Sequence, residues 1–165
     1  MKVRILATAA IAATALALSA AAPALATAPA KPTGTMTVYS HSTQRNVLDI
    51  DASGGITIGD VVTGSGTVAT TKGGKSVGTF AYRAETVRVN MPGGNENRIS
   101  TSVYSLPGGT ILLSGLVSVQ QGTRPTKTEP VVIVGGTGKY AGAAGTATLN
   151  PGSTDNYKVT FKFTS

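Results

Sequence analysis

Hydrophobic and polar residues alternate in short segments along most of the chain, and glycine-rich turns separate the segments. The alternation is clearest in residues 157–164, which read YKVTFKFT, and in residues 76–89, which read SVGTFAYRAETVRV. Because successive side chains of a β-strand point to opposite faces, this period of two predicts β-strands. We expect Phe80, Tyr82 and Ala84 to share one face of a long strand.

The same pattern predicts an all-β fold of about eight strands, with no convincing helix after residue 26. The predicted strands are residues 37–39 resuming at 47–50, then 65–71, 76–89, 98–106, 110–120, 131–134, 146–149 and 157–164. Short glycine and proline turns join them, and such connections favour an antiparallel up-and-down β-barrel over a sandwich. A barrel of this size has an interior wide enough for side chains or one small ligand.

Residues 131–145, which read VVIVGGTGKYAGAAG, give the densest signal in the chain. A β-branched run predicts a buried strand, and the glycines and alanines that follow predict a corner where two backbones approach closely. A phosphate-binding loop is excluded because Tyr140, not serine or threonine, follows Gly138 and Lys139. A dinucleotide fingerprint is disfavoured because the next residues indicate a strand rather than a helix.

The block GGTGKYAGAAG at residues 135–145 resembles the signature of plant dirigent proteins, and of allene oxide cyclases and their bacterial relatives. The likeness extends over residues 49–165. Asp51, Gly55 and the pair Gly59-Asp60 are similar to the D…G…GD opening of that superfamily, and residues 75–78 (KSVG) to the start of its long strand. The resemblance implies a barrel whose cavity binds a hydrophobic small molecule or a reactive intermediate. It also implies a homotrimer formed through the outer barrel surface.

The resemblance transfers few site residues to this chain. The cyclases carry a cysteine at about the position of Ala84, which implies that Ala84 faces inward and that Phe80 and Tyr82 line the cavity. The glutamate on the first strand of the cyclases has no secure match, since only His41 and Asp49 lie nearby. The catalytic residues therefore remain unknown, with His41 and Asp49 as weak candidates.

Tyrosines are the polar groups best suited to a small barrel, because each combines an apolar ring with a hydroxyl that needs a partner. Tyr39, Tyr82 and Tyr104 could orient the carbonyl group of a ligand, or they could be ordinary core residues. Together with Phe80, these three tyrosines are the predicted ligand-binding residues.

Other constellations are weaker. His41 is the only histidine and no G-x-S-x-G motif accompanies it, so a surface position is favoured over a general base. Asp49, Asp51 and Asp60 could share a metal ion, but turn-capping or solvated carboxylates are the favoured interpretation, and we predict no metal and no cofactor. A carboxylate pair for glycoside hydrolysis is unsupported, because Glu85, Glu96 and Glu129 are predicted on an outer strand face and in loops.

Residues 1–26 have the pattern of a secretory signal peptide: a short basic start, an alanine-rich apolar stretch and an A-x-A site before the expected cut after Ala26. Residues 27–34 (TAPAKPTG) predict a disordered linker, which leaves residues 35–165 as one β-barrel domain. We therefore expect a secreted, extracellular protein with no membrane span in its mature form. The chain has no cysteine, so stability must come from packing and from the hydrogen-bonded sheet.

The chain has 165 residues and a formal charge of +7, but its basic residues are dispersed along the sequence without a run. Nucleic-acid binding normally shows a clustered basic stripe, so no nucleic-acid partner is expected. The charge is typical of solubility, and attraction to an anionic cell envelope is the alternative.

These observations predict a secreted dirigent-like or allene oxide cyclase-like barrel that binds a small hydrophobic molecule. Whether it is an enzyme stays open. If it is one, we expect a cofactor-free cyclase or isomerase, or a stereo-directing protein, that acts by confining a reactive intermediate. The alternatives are a non-catalytic, lipocalin-like carrier and a structural envelope protein whose barrel is filled by its own side chains.

Overall fold

The computed structural model shows eight antiparallel strands that close into one barrel, in the order in which they occur along the chain. It describes residues 30–91, 94–120, 124–125, 127–152 and 156–164, so the predicted signal peptide and residues 27–29 of the predicted linker lie outside the described residues. The strands are β1 Gly34–Leu48, β2 Val61–Ala69, β3 Ser76–Met91, β4 Asn95–Leu106, β5 Gly109–Gln120, β6 Glu129–Gly136, β7 Gly145–Pro151 and β8 Asn156–Phe163.

Each strand pairs with its neighbours in sequence, and β1 pairs with β8 to complete the ring. The predicted up-and-down barrel is therefore confirmed. The only helical element in the described ranges is a 3₁₀ turn, Gly138–Tyr140, between β6 and β7. No helix among the described residues is both long and apolar enough to cross a membrane.

β1 is one continuous strand of 15 residues rather than the two short segments that the sequence predicted. A bulge between Ser42 and Gln44 explains the difference, because the extra residue shifts the pairing with β2 by one position. After the shift, Arg45 faces the inner side of the barrel beside Gly64, instead of following the outward series.

Alternate residues of every strand point inward, and a column of aromatic rings fills the half of the barrel that holds the start of β1 and the end of β8. The ring centroids of Tyr104 and Phe161 are 5.4 Å apart with an edge-to-face angle of 84°. Phe161 stacks on Phe163 at 6.2 Å, and Phe163 stacks on Tyr140 at 6.4 Å. We call this half the closed half and these four rings the aromatic column.

Two glycines of β2 leave room for aromatic rings from the neighbouring strand. A Cβ atom on Gly64 would lie 2.4 Å from the ring of Tyr82, and one on Gly66 would lie 2.7 Å from the ring of Phe80. Because β2 carries no side chain at these inward positions, the rings of β3 can extend across it. The glycines thus position the two aromatic residues that the sequence placed on one strand face.

The glycine-rich corner after β6 is a close crossing of two backbones, as the sequence predicted. Lys139 donates its N–H to the carbonyl oxygen of Gly108 at 2.8 Å, and Thr137 donates its N–H to the carbonyl oxygen of Thr110 at 2.9 Å. Gly138 has a φ of +58°, and a Cβ atom there would come within 2.1 Å of the oxygen of Gly108. Only glycine fits both the backbone angle and the space.

Candidate functional site

A cavity of about 90 Å³ occupies the half of the barrel opposite the closed half. It reaches the barrel end that carries the loop 49–60 and residues 124–125, which we call the mouth. Its lining residues are Ser42, Arg45, Phe80, Tyr82, Ala84, Arg98, Ser100, Ser102, Tyr104, Val117, Val119, Arg124, Pro125, Leu149 and Tyr157. The wall therefore combines aromatic, aliphatic, hydroxyl and guanidinium groups.

The inner end of the cavity is aromatic. Phe80 stacks on Tyr82 with ring centroids 6.4 Å apart, and on Tyr104 with centroids 5.7 Å apart. Burial raises the pKa of the Tyr104 phenol, with the Ser40 side chain acting in the opposite direction, so this hydroxyl stays protonated at neutral pH. Three of the four predicted ligand-binding residues, Phe80, Tyr82 and Tyr104, thus lie in one wall.

Tyr39 does not lie in this wall. It alternates with the buried Val38 and Ser40, and it lines a groove of about 690 Å³ that also includes His41, Lys72 and other residues. Polar and apolar residues do not alternate clearly around Val38, so the sequence did not show which residues of this strand point inward. It therefore could not separate Tyr39 from the interior tyrosines.

Neither weak catalytic candidate lies in the cavity wall. His41 is exposed, and its Nδ1 atom is 3.1 Å from the side-chain oxygen Oδ1 of Asn156. Asp49 lies in the loop after β1, where its carboxylate accepts backbone hydrogen bonds from Ser53 at 3.3 Å and Gly54 at 2.9 Å. His41 therefore lies on the surface and Asp49 lies in a loop, outside the cavity.

A buried ion pair stands at the mouth end of β4. Glu96 is fully buried and Arg98 is 3% exposed, and Nη2 of Arg98 donates to Oε1 of Glu96. The other oxygen of Glu96, Oε2, is buried without a hydrogen-bond partner among the described residues. Burial lowers the pKa of Arg98, the charge of Glu96 opposes this change, and nearby Arg45 adds to the lowering.

The prediction that Glu96 belongs to a loop is wrong, because β4 already begins at Asn95. Extending the alternation backwards from Tyr104 in steps of two would have placed Ser102, Ser100, Arg98 and Glu96 on its face. The run of charged and amide residues concealed that period.

The prediction that Glu129 belongs to a loop is also wrong, since Glu129 is the first residue of β6 and is buried. It shares the inward face with Val131 and Ile133, a spacing of two that the sequence already contains. Ser118 donates its backbone N–H to Oε1 of Glu129 at 3.2 Å. Burial raises the pKa of this carboxyl group, while that hydrogen bond and Lys127 oppose the rise.

The three aspartates considered as metal ligands lie together in the loop after β1, with one carboxylate oxygen of each within 4.8 Å of the others. Their oxygens already accept hydrogen bonds. Asp60 accepts the N–H groups of Thr57 at 2.7 Å and Ile50 at 2.9 Å, and these bonds lower its pKa although burial opposes the change. The three aspartates therefore hold the conformation of the loop, because they accept hydrogen bonds from its backbone.

These observations define a class: a closed up-and-down barrel with a partly filled interior and a mixed polar and aromatic cavity at one end. Residues 35–163 match the model of the allene oxide cyclase barrel-like domain. The chain belongs to this family, which confirms the resemblance drawn from residues 135–145.

Solved structures agree with this assignment. Pyocyanin demethylase has a TM-score of 0.64 and 25% sequence identity, over 79% of this chain and 99% of that chain. The Diels-Alderase AbmU from Streptomyces koyangensis has a TM-score of 0.55 and 13% identity, over 80% and 69% of the two chains. The pterocarpan synthase dirigent protein GePTS1 has a TM-score of 0.54 and 17% identity, over 76% and 84%. No curated protein matches the chain.

Proposed function

We propose that the protein binds a small hydrophobic molecule in the cavity and guides its cyclisation, isomerisation or stereochemical course without a cofactor. The observation that carries this proposal is the cavity wall itself, where stacked aromatic rings and serine residues line the same space inside a closed barrel. The pyocyanin demethylase, at 25% identity, supports small-molecule chemistry in such a barrel. The Diels-Alderase and the dirigent protein support the fold alone.

The mechanism we propose is confinement. Side chains in a protein interior are packed as densely as molecules in a crystal, so the walls of the cavity yield little. A molecule held against Phe80 and Tyr82 therefore has few conformations available. Holding the reacting groups in a near-attack geometry can lower a barrier by about 7 kcal/mol or more, through prepaid entropy and avoided solvent reorganisation together. The hydroxyls of Tyr82, Ser100 and Ser102 lie in the same wall and can orient a carbonyl group of the ligand.

The size of the cavity limits how the ligand binds. A volume of about 90 Å³ is below the roughly 300 Å³ at the lower end of typical ligand pockets. We therefore propose that one end of the molecule enters the barrel while the rest lies at the mouth. In the closed half the aromatic column fills the interior, so a barrel filled by its own side chains describes that half. It does not describe the half that holds the cavity.

Two further expectations from the sequence stay proposals: export of the protein through residues 1–26, and assembly as a homotrimer through the outer barrel surface. The outer faces of β4, β5 and β6 support the second, since they expose the apolar residues Ile99, Leu116, Val132 and Val134. Light scattering coupled to size exclusion tests it. A monomer at micromolar concentration would reject the trimer.

A matched pair of substitutions on β3 tests the proposed binding. Ala84→Leu fills the cavity, whereas Ala81→Leu adds the same volume on the exposed outer face of the same strand. We expect benzyl alcohol, a single-ring probe, to shift the NMR signals of cavity residues in the wild type and in Ala81→Leu but not in Ala84→Leu. Native mass spectrometry of the exported protein should show a copurifying small molecule. Equal probe shifts in all three proteins would reject the cavity as the binding site.

A further inference from the structure

The charged side chains that the described residues contribute to the cavity wall are all arginines: Arg45, Arg98 and Arg124. No aspartate or glutamate of the described chain lines the cavity. The neighbouring carboxylate of Glu96 pairs with Arg98 and offsets one of these charges. The wall therefore keeps an excess of positive charge, which the exposed Arg45 and the half-buried Arg124 carry.

Two of the guanidinium groups lie close enough to affect each other. Arg45 enters from β1 through the bulge, and Arg98 enters from β4, so different strands direct like charges into one space. The positive charge of Arg45 contributes to the lowered pKa of Arg98. Like charges at short range raise the free energy of the folded state, and an anion held between them lowers it.

Hydroxyl groups accompany the arginines. Ser42 lies on β1 before Arg45, and Ser100 and Ser102 follow Arg98 at successive inward positions of β4. Serine hydroxyls donate hydrogen bonds to oxygen atoms, and guanidinium groups match the planar geometry of a carboxylate. The other strands give the wall Val117, Val119 and Leu149, which offer apolar contact.

We infer that the molecule bound in this cavity is an amphiphilic anion, with its acidic oxygens at the Arg45 and Arg98 end and its apolar part against the aromatic and aliphatic wall. This inference rests on the proposed function and specifies the chemical class of its ligand. The anion binds by charge-assisted hydrogen bonds to the guanidiniums, and the hydrophobic body contributes the remaining affinity.

Three probes that share one ring and differ in charge test the inference: benzoate, benzyl alcohol and benzylammonium. Titrations followed by NMR at low salt give a dissociation constant for each with the full chain. We expect benzoate to bind about tenfold more tightly than benzyl alcohol, since a hydrogen bond to a charged group is stronger than a neutral one. Benzylammonium should bind most weakly, and added salt should weaken benzoate alone.

Arg45→Gln is the informative variant, because Arg45 is exposed on the rim and its loss leaves the Glu96–Arg98 pair intact. It should weaken benzoate about tenfold and leave benzyl alcohol unchanged. Arg83→Gln is the matched control, since Arg83 lies on the outer face of β3 and pairs with Glu85 at the surface.

The outcomes separate the two levels of the proposal. Equal affinity for benzoate and benzyl alcohol, or an unchanged affinity for benzoate in Arg45→Gln, overturns the anionic ligand and leaves small-molecule binding in place. Absence of binding by all three probes overturns the proposed function and this inference together.

Discussion

Glu96 and Arg98 occupy inward positions, and most other inward residues of this barrel are apolar. Because each neutralises the charge of the other, their effect on stability depends on both being present. Removal of one partner from a buried pair leaves an uncompensated charge in a poorly solvated place, which costs about 3 kcal/mol or more. Replacement of both partners by apolar residues avoids that penalty. We therefore expect the two residues to be coupled energetically as well as by their hydrogen bond.

We predict that Arg98→Met lowers the free energy of unfolding by about 3 kcal/mol, while the double variant Glu96→Leu/Arg98→Met lowers it by about 1 kcal/mol or less. Urea unfolding followed by circular dichroism measures both values. Glu96→Leu alone completes the cycle, and a loss in the double variant that equals the sum of the losses in Arg98→Met and Glu96→Leu would show that the residues act independently.

Glu129 gives a pH dependence of the opposite sign to that of most carboxylates. Its pKa is raised above the ordinary value of 4.5, so the folded state holds the proton more tightly than the unfolded state. The stability contributed by the protonated form is fully present below pH 4.5 and is lost as the pH rises through the folded-state pKa.

Glu129→Gln should therefore be more stable than the wild type at pH 7, because a neutral amide accepts the bond from Ser118 without a buried charge. The difference should shrink towards zero below pH 4.5. Thermal unfolding between pH 4 and pH 8 checks this, with Glu85→Gln at the surface as the control. A difference that does not vary with pH contradicts the assignment.

At the scale of elements, the glycine corner separates backbone strain from steric crowding, two effects that usually occur together. Gly138 and Gly142 both have positive φ, at +58° and +71°. A Cβ atom on Gly138 would collide with the backbone of Gly108, whereas one on Gly142 would meet only the flexible Lys31 side chain at 3.4 Å. Backbone strain is common to both positions, and crowding is confined to the first.

We predict that Gly142→Ala costs about 1 kcal/mol, the usual penalty for a left-handed residue with a side chain. Gly138→Ala should cost clearly more, about 3 kcal/mol, since the β4–β5 turn must also move away. Equilibrium unfolding of the two variants side by side measures the difference. Equal losses would mean that the crossing of the two backbones is not tight.

Most of the strands were predictable because their alternation is regular over long segments such as β3 and β8. The starts of β4 and β6 were missed, because Glu96 and Glu129 continue the spacing of two with charged residues, and a search for alternating apolar residues passes over them. The cavity could be predicted only in part. Phe80 and Tyr82 follow from one strand face, but Arg45 enters through a bulge, and sequence alternation alone cannot locate a bulge.

For the whole molecule, the aromatic column links strands that are far apart in sequence. Phe161 of β8 is fully buried, meets the ring of Tyr104 of β4 edge to face and stacks on Phe163 of its own strand. The contact with Tyr104 joins opposite parts of the ring of strands, so we expect the closed half to unfold as one cooperative unit.

We predict that Phe161→Ala lowers the free energy of unfolding by about 3 to 5 kcal/mol, in a single transition, because it removes a large side chain from a packed interior. Val77→Ala, at an exposed position of β3 outside the proposed trimer surface, should change it by less than about 0.5 kcal/mol. Denaturant titrations with fluorescence and circular dichroism measure both. Two separate transitions would contradict cooperative closure.

The pairing of Gly34 with Phe163 brings the first residue of β1 and the last residue of β8 to the same end of the barrel. Ser42 lies eight residues further along β1, about 26 Å away at 3.3 Å per residue. A tether or affinity tag joined upstream of Gly34 or downstream of Phe163 therefore leaves the opposite end open to the medium. The protein can be immobilised on a biosensor surface by either route with its mouth facing the solution.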